Sequence, residues 1–222
     1  MALVIYGSTV SPFVRKVRIV MAEKGLEYTL DPVNPFGAPP EFAEISPLKR
    51  IPAFRDTDLP EPNTLSDSSV ICDYLENKFP KPALYPSNPF QRAKALWYEE
   101  YADSALAQAM GRGFFFERVV KKIMRAPVDE ELCQKTLSET LPPMFDYLEK
   151  EIGDKDYLAG GAFSIADITV CTMLVNFEHA GGAVDPEKWP RLAAYVKRVH
   201  ARPSFKAFID EERPYIDKMR AR

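Results

Sequence analysis

Hydrophobic positions change their spacing along the first 80 residues, and this predicts a small unit that mixes strands and helices. Leu3–Gly7 is a short apolar run that ends in glycine, which is typical of a buried strand. Val14–Met21 then carries apolar residues at helical spacing behind Ser11-Pro12, a pair that favours the start of a helix. Weak alternation over Glu27–Val33 predicts a second strand.

Two further strands and another helix complete this first part. Ile51–Arg55 and Thr64-Leu65 are predicted strands, joined by a hairpin loop over Asp56–Asn63. Glu41–Ile45 predicts a short helix before them, and Ser66–Phe79 predicts a longer one after them with apolar residues on one side. The predicted order is therefore β-α-β followed by β-β-α.

Everything after a proline-rich stretch has a helical pattern. Lys81–Pro89 contains three prolines and no periodicity, so we interpret residues 81–89 as a linker. Four predicted helical segments follow, and then a short tail: Phe90–Arg125, Val128–Ile152, Ser164–Ala180 and Trp189–Arg202. The sequence thus predicts one domain over residues 1–80 and an all-helical domain over residues 90–222.

Composition and charge exclude several classes of function. The 29 Lys and Arg residues nearly balance 32 Asp and Glu, and the net charge of −3 argues against a dedicated nucleic-acid-binding protein. Two histidines and three cysteines, without a C-x-x-C, disfavour histidine-based triads, zinc sites and disulfide frameworks. The N-terminus does not resemble a signal peptide, and no apolar stretch could span a bilayer. A cytoplasmic protein in a reducing compartment is expected.

Four segments, in this order, resemble the cytosolic glutathione transferases, in particular serine-type members with theta-, zeta- or tau-like active-site loops. They are Tyr6–Arg18, Pro47–Ala53, Leu65–Leu75, and Phe163–Asp167 followed by Trp189–Leu192 and Arg202–Phe205. Each segment is weak alone, but together they cover essentially the whole chain. The resemblance implies an α/β thioredoxin-like N-terminal domain that binds glutathione and an all-α C-terminal domain that contributes the pocket for an electrophile.

Ser11 is the residue that this resemblance marks for catalysis. Glutathione attacks as the thiolate, and a hydroxyl donor at a helix N-terminus can hold an anion. Serine-type transferases place a serine at the start of the first helix, so Ser11 is predicted to stabilise the thiolate and not to be the nucleophile itself. A plain helix cap is the alternative role of Ser11, and Ser8, Thr9 and Tyr6 are rivals for activating the thiol.

The resemblance also implies the residues that surround glutathione: Phe13, Arg50, Ile51, Pro52, Asp67 and Ser68. The Ile51-Pro52 peptide is expected to be cis, with the Ile51 backbone paired to the cysteinyl group. Arg50, or less favourably Lys49, would reach the glycine carboxylate. Asp67 would meet the γ-glutamyl ammonium and Ser68 its carboxylate. Asp67 stands where the common pattern has glutamate, so its reach is one methylene shorter.

The predicted function is detoxification by a transferase that conjugates glutathione to small electrophilic apolar substrates. The protein is expected to be a homodimer, to need no metal, and to bind neither nucleic acid nor membranes. A glutathione-dependent isomerase or dehalogenase is one alternative, and a non-catalytic binding or regulatory protein is another. Val10–Phe13 lacks the Ser-Ser-Cys-like loop expected of a maleylacetoacetate isomerase. A disulfide reductase would need a cysteine in place of Ser11.

Two further features lie in the predicted all-helical domain, and neither is assigned a catalytic role. Ser164–Asp167 resembles a capping box and is interpreted as structural. Some aromatic and methionine side chains of the first long helix could line a pocket, although most residues at such spacing are core: Tyr98, Tyr101, Met110, Phe114, Phe115 and Phe116.

Overall fold

The chain divides into two units, Met1–Leu84 and Tyr85–Arg222. The structure is a computed structural model that describes residues 2–34 and 36–220, with the backbone alone at Arg220. Met1, Pro35, Ala221 and Arg222 lie outside the described residues. Each unit has its own buried core.

The first unit is a four-stranded mixed sheet with three helices, which is the thioredoxin-like arrangement. Its strands are β1 (Leu3–Gly7), β2 (Thr29–Pro32), β3 (Ala53–Asp56) and β4 (Thr64–Ser66), and its helices are α1 (Pro12–Glu23), α2 (Phe42–Ile45) and α3 (Ser68–Lys78). The strand order is β2-β1-β3-β4; β1 runs parallel to β2 and antiparallel to β3, and β3 runs antiparallel to β4. A parallel β1-β2 pair needs a crossover, and α1 supplies it.

Helix α3 begins two residues later than the sequence pattern predicts. Ser66 pairs with Ala53 as the last residue of β4, so it continues the sheet and does not open the helix. Asp67 is the N-cap, and the helix starts at Ser68. The local sequence pattern could not predict this boundary, because the start of α3 depends on the pairing of β4 with a strand more than ten residues away in the chain.

Close packing at the end of β1 brings α1 onto the sheet. Leu3, Ile5 and Gly7 are buried on one face of β1. A Cβ atom added at Gly7 would lie 2.4 Å from Cγ2 of the buried Val14, so only glycine lets the first turn of α1 approach this closely. Helix α1 then packs against α3, and every residue of α1 from Val14 to Met21 is buried.

The second unit is built of helices. They are α4 (Pro89–Tyr101), a π-helix π1 (Ala102–Val120), α5 (Lys121–Ile123), α6 (Glu130–Lys135), a short π-helix π2 (Thr136–Thr140), α7 (Leu141–Ile152), α8 (Ile165–His179), α9 (Pro190–His200) and α10 (Pro203–Arg220). Helix α8 is buried nearly all round and packs against α4, π1 and α9. It is only 15 residues long, and no helix within the described ranges is long and apolar enough to cross a membrane.

The prediction of a short tail after Arg202 is wrong, because this segment is the 18-residue helix α10. Its first residue is Pro203, a residue that helices tolerate in the first turn. Phe205, Phe208, Ile216 and Met219 are buried at intervals of three, eight and three residues, which is a helical stripe. That stripe is present in the sequence, where Pro214 and the charged residues around it obscure it.

The buried carboxylate of Asp167 joins three segments of the second unit. Its side chain accepts hydrogen bonds from the backbone N–H groups of Leu158 and Ser164, both at 2.9 Å. It also accepts from the hydroxyls of Tyr195 at 2.8 Å and Ser164 at 3.2 Å. The capping box at the start of α8 is therefore present. Burial raises the pKa of the Asp167 carboxyl to about 6, although the bonds from Leu158, Tyr195 and Ser164 act to lower it.

We expect Asp167→Ala to destabilise the protein by about 3 kcal/mol or more, because it leaves several buried donors without their acceptor. Asp129→Ala is the matched control: Asp129 caps α6 through one exposed bond, from the Leu132 N–H at 2.9 Å, and its loss should cost about 1 kcal/mol. Urea unfolding of both variants measures the difference. Equal losses at the two positions would contradict the bridging role of Asp167.

Candidate functional site

The register of the sheet brings three predicted site segments to one edge of the first unit. Tyr6 of β1 lies opposite Ala53 of β3, and Ala53 lies opposite Ser66 of β4. The chain that follows β1, the chain that precedes β3 and the chain that follows β4 must therefore meet at this edge. These are the loop to Ser11, the pair Ile51-Pro52, and the start of α3.

Ser11 is the N-cap of α1, with an extended backbone conformation. Its Oγ atom accepts the Val14 N–H at 3.5 Å, which is at the outer limit for a hydrogen bond. A capping hydroxyl uses a lone pair and keeps its own proton for another acceptor. The cap and a donor role toward an anion are therefore compatible, and the half-buried side chain stands at the positive end of the α1 dipole.

The rivals of Ser11 differ in where the structure places them. Ser8 and Thr9 are half-buried in the turn before α1, and the Ser8 carbonyl accepts the Ser11 N–H at 3.1 Å. Tyr6 lies within β1, on the sheet face opposite to Gly7, and its ring centre is 5.9 Å from the Arg55 guanidinium carbon. Ser8 and Thr9 therefore share the loop of Ser11, and Tyr6 does not.

The Ile51-Pro52 peptide is cis, as predicted. Ile51 lies against the end of β1, because a Cβ added at Gly7 would be 3.5 Å from the Ile51 Cβ. The ladders of β3 with β1 and β4 begin at Ala53, so the main chain of Ile51 lies outside both ladders in the described sheet. The Pro52 carbonyl accepts the Asp67 N–H at 3.4 Å, and this contact ties the entry of β3 to the start of α3.

The loop that carries Lys49 and Arg50 is held by a serine that the sequence analysis did not single out. Ser46 is fully buried, and its hydroxyl accepts the Arg50 N–H at 3.1 Å and donates to the Arg50 carbonyl at 2.8 Å. Lys49 has a positive φ of 52°, and both basic side chains are exposed. Nothing in the local pattern distinguished Ser46 from an exposed loop serine.

Asp67 combines a helix cap with an unusual backbone conformation. Its Oδ1 atom accepts the N–H groups of Ser69 at 2.9 Å and Val70 at 3.3 Å. Its φ of 96° lies in the region that favours glycine, where other residues carry strain. The side chain is exposed, so one carboxylate oxygen caps α3 and the second remains available to a ligand.

A buried lysine on α1 contacts the first turn of α3. Lys16 is fully buried, and its Nζ atom donates to the Ser69 hydroxyl at 2.8 Å and to the Ser68 hydroxyl at 3.4 Å. Ser68 itself is buried as the first residue of α3. Phe13 lies half-buried in the first turn of α1. The local sequence does not point to Lys16, because a lysine beside Arg15 on an amphipathic helix is usually solvated.

Comparison with known proteins identifies matches over both units. Residues 5–83 match the family model described as glutathione S-transferase, N-terminal domain, and residues 114–212 match the model described as glutathione S-transferase, C-terminal domain. A stringent starvation protein A homolog from Coxiella burnetii is 27% identical over 212 residues, which are 94% of this chain and 92% of that protein.

Two further similarities bear on chemistry. A maleylacetoacetate isomerase from Pseudomonas aeruginosa is 29% identical over 196 residues, which are 86% of this chain and 88% of that protein. The solved structure of human glutathione S-transferase T1-1 in its apo form is similar at a TM-score of 0.83 and 26% identity, and the match covers 99% of this chain and 91% of that chain.

We expect the three substitutions Asp67→Asn, Asp67→Gly and Asp67→Ala to lower stability in that order. Asparagine keeps the capping oxygen and tolerates a positive φ. Glycine loses the cap but relieves the backbone, at a cost of a few tenths of a kcal/mol. Alanine loses the cap while the backbone stays as strained as in the wild type, so the lost cap should cost about 1 kcal/mol.

Asp129→Gly and Asp129→Ala serve as the controls, because that N-cap has an ordinary φ of −86°. In urea unfolding, the stability difference between the glycine and alanine variants should be larger at Asp67 than at Asp129. If the two differences are equal, the backbone at Asp67 carries no strain of its own.

Proposed function

The chain belongs to the glutathione S-transferase family, and on this premise we propose that it binds glutathione, holds the thiolate with the Ser11 hydroxyl and conjugates it to small electrophilic apolar substrates. The observation that carries the proposal is the Ser11 cap. The Val14 nitrogen lies 3.5 Å from the Ser11 Oγ, which makes this a long hydrogen bond, and the hydroxyl proton takes no part in it. The hydroxyl is therefore suited to donate to an anion at the start of α1.

The proposed binding of glutathione follows the edge of the first unit. Because the Ile51 main chain lies outside the described ladders, it can pair with the cysteinyl part of the ligand as one more extended segment. The exposed Arg50 guanidinium would hold the glycine carboxylate, and Ser46 would keep the Arg50 backbone in place. Phe13 is proposed to contact the ligand from the first turn of α1.

The γ-glutamyl end would meet the start of α3. The Asp67 carboxylate, whose Oδ1 caps the helix, would accept the ligand's ammonium through its second oxygen. The Ser68 hydroxyl and backbone N–H would donate to the ligand's carboxylate, since N–H groups of a first helical turn have no partner within the helix.

The chemistry is then one of thiolate attack. Donation from Ser11 and the positive end of α1 favour the ionised thiol, which lowers its pKa and raises the fraction of nucleophile at neutral pH. The sulfur forms a bond to an electrophilic carbon. In a substitution the leaving group departs with its electron pair; in an addition to a double bond the carbanion formed takes a proton from water.

Few of the second-unit side chains that were predicted to line an electrophile pocket are exposed enough to contact an electrophile. Tyr98, Met110, Phe114 and Phe115 are buried within that unit. The Phe114 ring packs 5.2 Å from the ring of Phe177. The half-buried Tyr101 and Phe116 are therefore our remaining candidates for contact with the electrophile.

A non-catalytic binding role is the second candidate function. It is favoured by similarity along nearly the whole chain to a relative named for stringent starvation and not for a reaction. The relative named maleylacetoacetate isomerase raises an isomerase as well, but Val10–Phe13 differs from the loop expected for that activity. Turnover of electrophiles separates these candidates, because a binding protein would take up glutathione without conjugating it.

We also propose a cytoplasmic homodimer, as membership of the family implies. Light scattering on the purified chain measures the oligomeric state directly.

We expect Ser11→Ala to lower kcat by about 100-fold, the usual effect of removing one donor to a developing or resident anion, with little change in glutathione affinity. The assay panel is a chlorodinitrobenzene, an epoxide and an isothiocyanate, and the affinity is measured by calorimetry. The ultraviolet absorbance of bound thiolate, followed against pH, should show a higher thiol pKa in this variant than in the wild type.

Ser8→Ala is the matched control, because it makes the same change in the same turn and leaves the Ser8 carbonyl bond to Ser11 in place. It should keep both the turnover and the thiol pKa. Unchanged turnover in Ser11→Ala would move the role to another group. Glutathione binding by the wild type without turnover of any electrophile would favour the binding protein.

A further inference from the structure

The buried ammonium of Lys16 has no role in the chemistry proposed above. Burial of a lysine ammonium is costly unless the group is hydrogen-bonded. Lys16 is fully buried, and it reaches from α1 to the first turn of α3, where Ser69 accepts at 2.8 Å and Ser68 at 3.4 Å. The two serines stand 52 and 53 residues away in sequence, so the contact is a product of the fold.

The direction of these bonds fixes what the serine hydroxyls can do. An ammonium donates and cannot accept, so both hydroxyl oxygens act as acceptors toward Lys16. The hydroxyl proton of Ser68 must therefore turn to an acceptor other than Lys16. A buried cation on one side of Ser68 thus makes its hydroxyl a donor on the other side.

The charges around this turn match an α-amino-acid group. The first turn of a helix favours an anion, and the Lys16 ammonium adds a positive charge beside it. The exposed Asp67 carboxylate stands at the same helix end and supplies the opposite charge. A ligand group with a carboxylate and an ammonium on one carbon would meet a partner of opposite charge at each.

We propose that Lys16 is a positioning residue of the glutathione site: it holds the Ser68 and Ser69 hydroxyls as oriented groups and makes the start of α3 selective for the carboxylate of the γ-glutamyl end. This inference rests on the proposed function. A lysine that merely ties α1 to α3 is the competing explanation, and it predicts no selectivity between ligands.

The test compares two ligands by calorimetry on the full chain. One is glutathione, and the other is γ-aminobutyryl-cysteinylglycine, which lacks only the carboxylate of the γ-glutamyl end. The wild type should bind glutathione at least about tenfold more tightly than the analogue, as expected of a charge-assisted contact. In Lys16→Met this ratio should fall to about threefold or less, with glutathione losing most of the affinity.

Lys24→Met is the matched control. Lys24 is also buried in the first unit, where its Nζ lies 2.7 Å from a Glu76 carboxylate oxygen and donates to the carbonyls of Phe79 and Pro82. This variant should lose stability in thermal unfolding and still keep the wild-type ratio of ligand affinities. A purely structural effect of Lys16→Met would behave in the same way.

Lys16→Gln covers the case in which the methionine variant does not fold, because an amide can still donate to Ser69 without a charge. Its ratio should also fall toward that of Lys16→Met. A full wild-type ratio in either Lys16 variant overturns the inference and leaves the proposed function intact. A wild type that binds neither ligand overturns the proposed function, and the role of Lys16 with it.

Discussion

The pairing of Tyr6, Ala53 and Ser66 across three strands is the constraint on which the candidate site depends. A slip of one residue in either ladder would turn every side chain of a strand to the other face, so the buried face of β1 holds the register. With this register, α1 and α3 both begin at one edge of the sheet. Gly7 then allows the first turn of α1 to pack closely onto that edge.

Two helix N-termini at one edge create an electrostatic field that favours anions. Side chains of both positive and negative charge lie at this edge as well. The Ser11 hydroxyl caps α1 through a lone pair, so its proton can still be donated to a thiolate. Asp67 caps α3 and places a negative charge there, while the buried Lys16 restores a positive one beneath the same turn. This arrangement of charges supports the proposal that the edge binds a peptide ligand with several charges along its length.

Local sequence predicted the elements whose causes are local. The spacing of apolar residues and the pair Ser11-Pro12 were sufficient for β1 and α1, and the cis Ile51-Pro52 peptide followed from the family resemblance. The start of α3 was misplaced because strand pairing decided it. Ser46 and Lys16 could not be found in this way, because each acts through a buried contact that the pattern around it does not encode.

The two aspartates at helix starts show how hydrogen-bond saturation separates a structural residue from a site residue. Asp167 is buried, and four donors from three segments occupy its two oxygens, so no acceptor capacity is left for a ligand. Asp67 is exposed, and the two N–H groups that it caps both meet Oδ1. Asp167, in the first turn of α8, therefore stabilises the fold of its unit, whereas Asp67, the N-cap of α3, keeps an oxygen for the ammonium that we propose it binds. Sequence alone gives both residues as caps, and only the count of occupied lone pairs tells them apart.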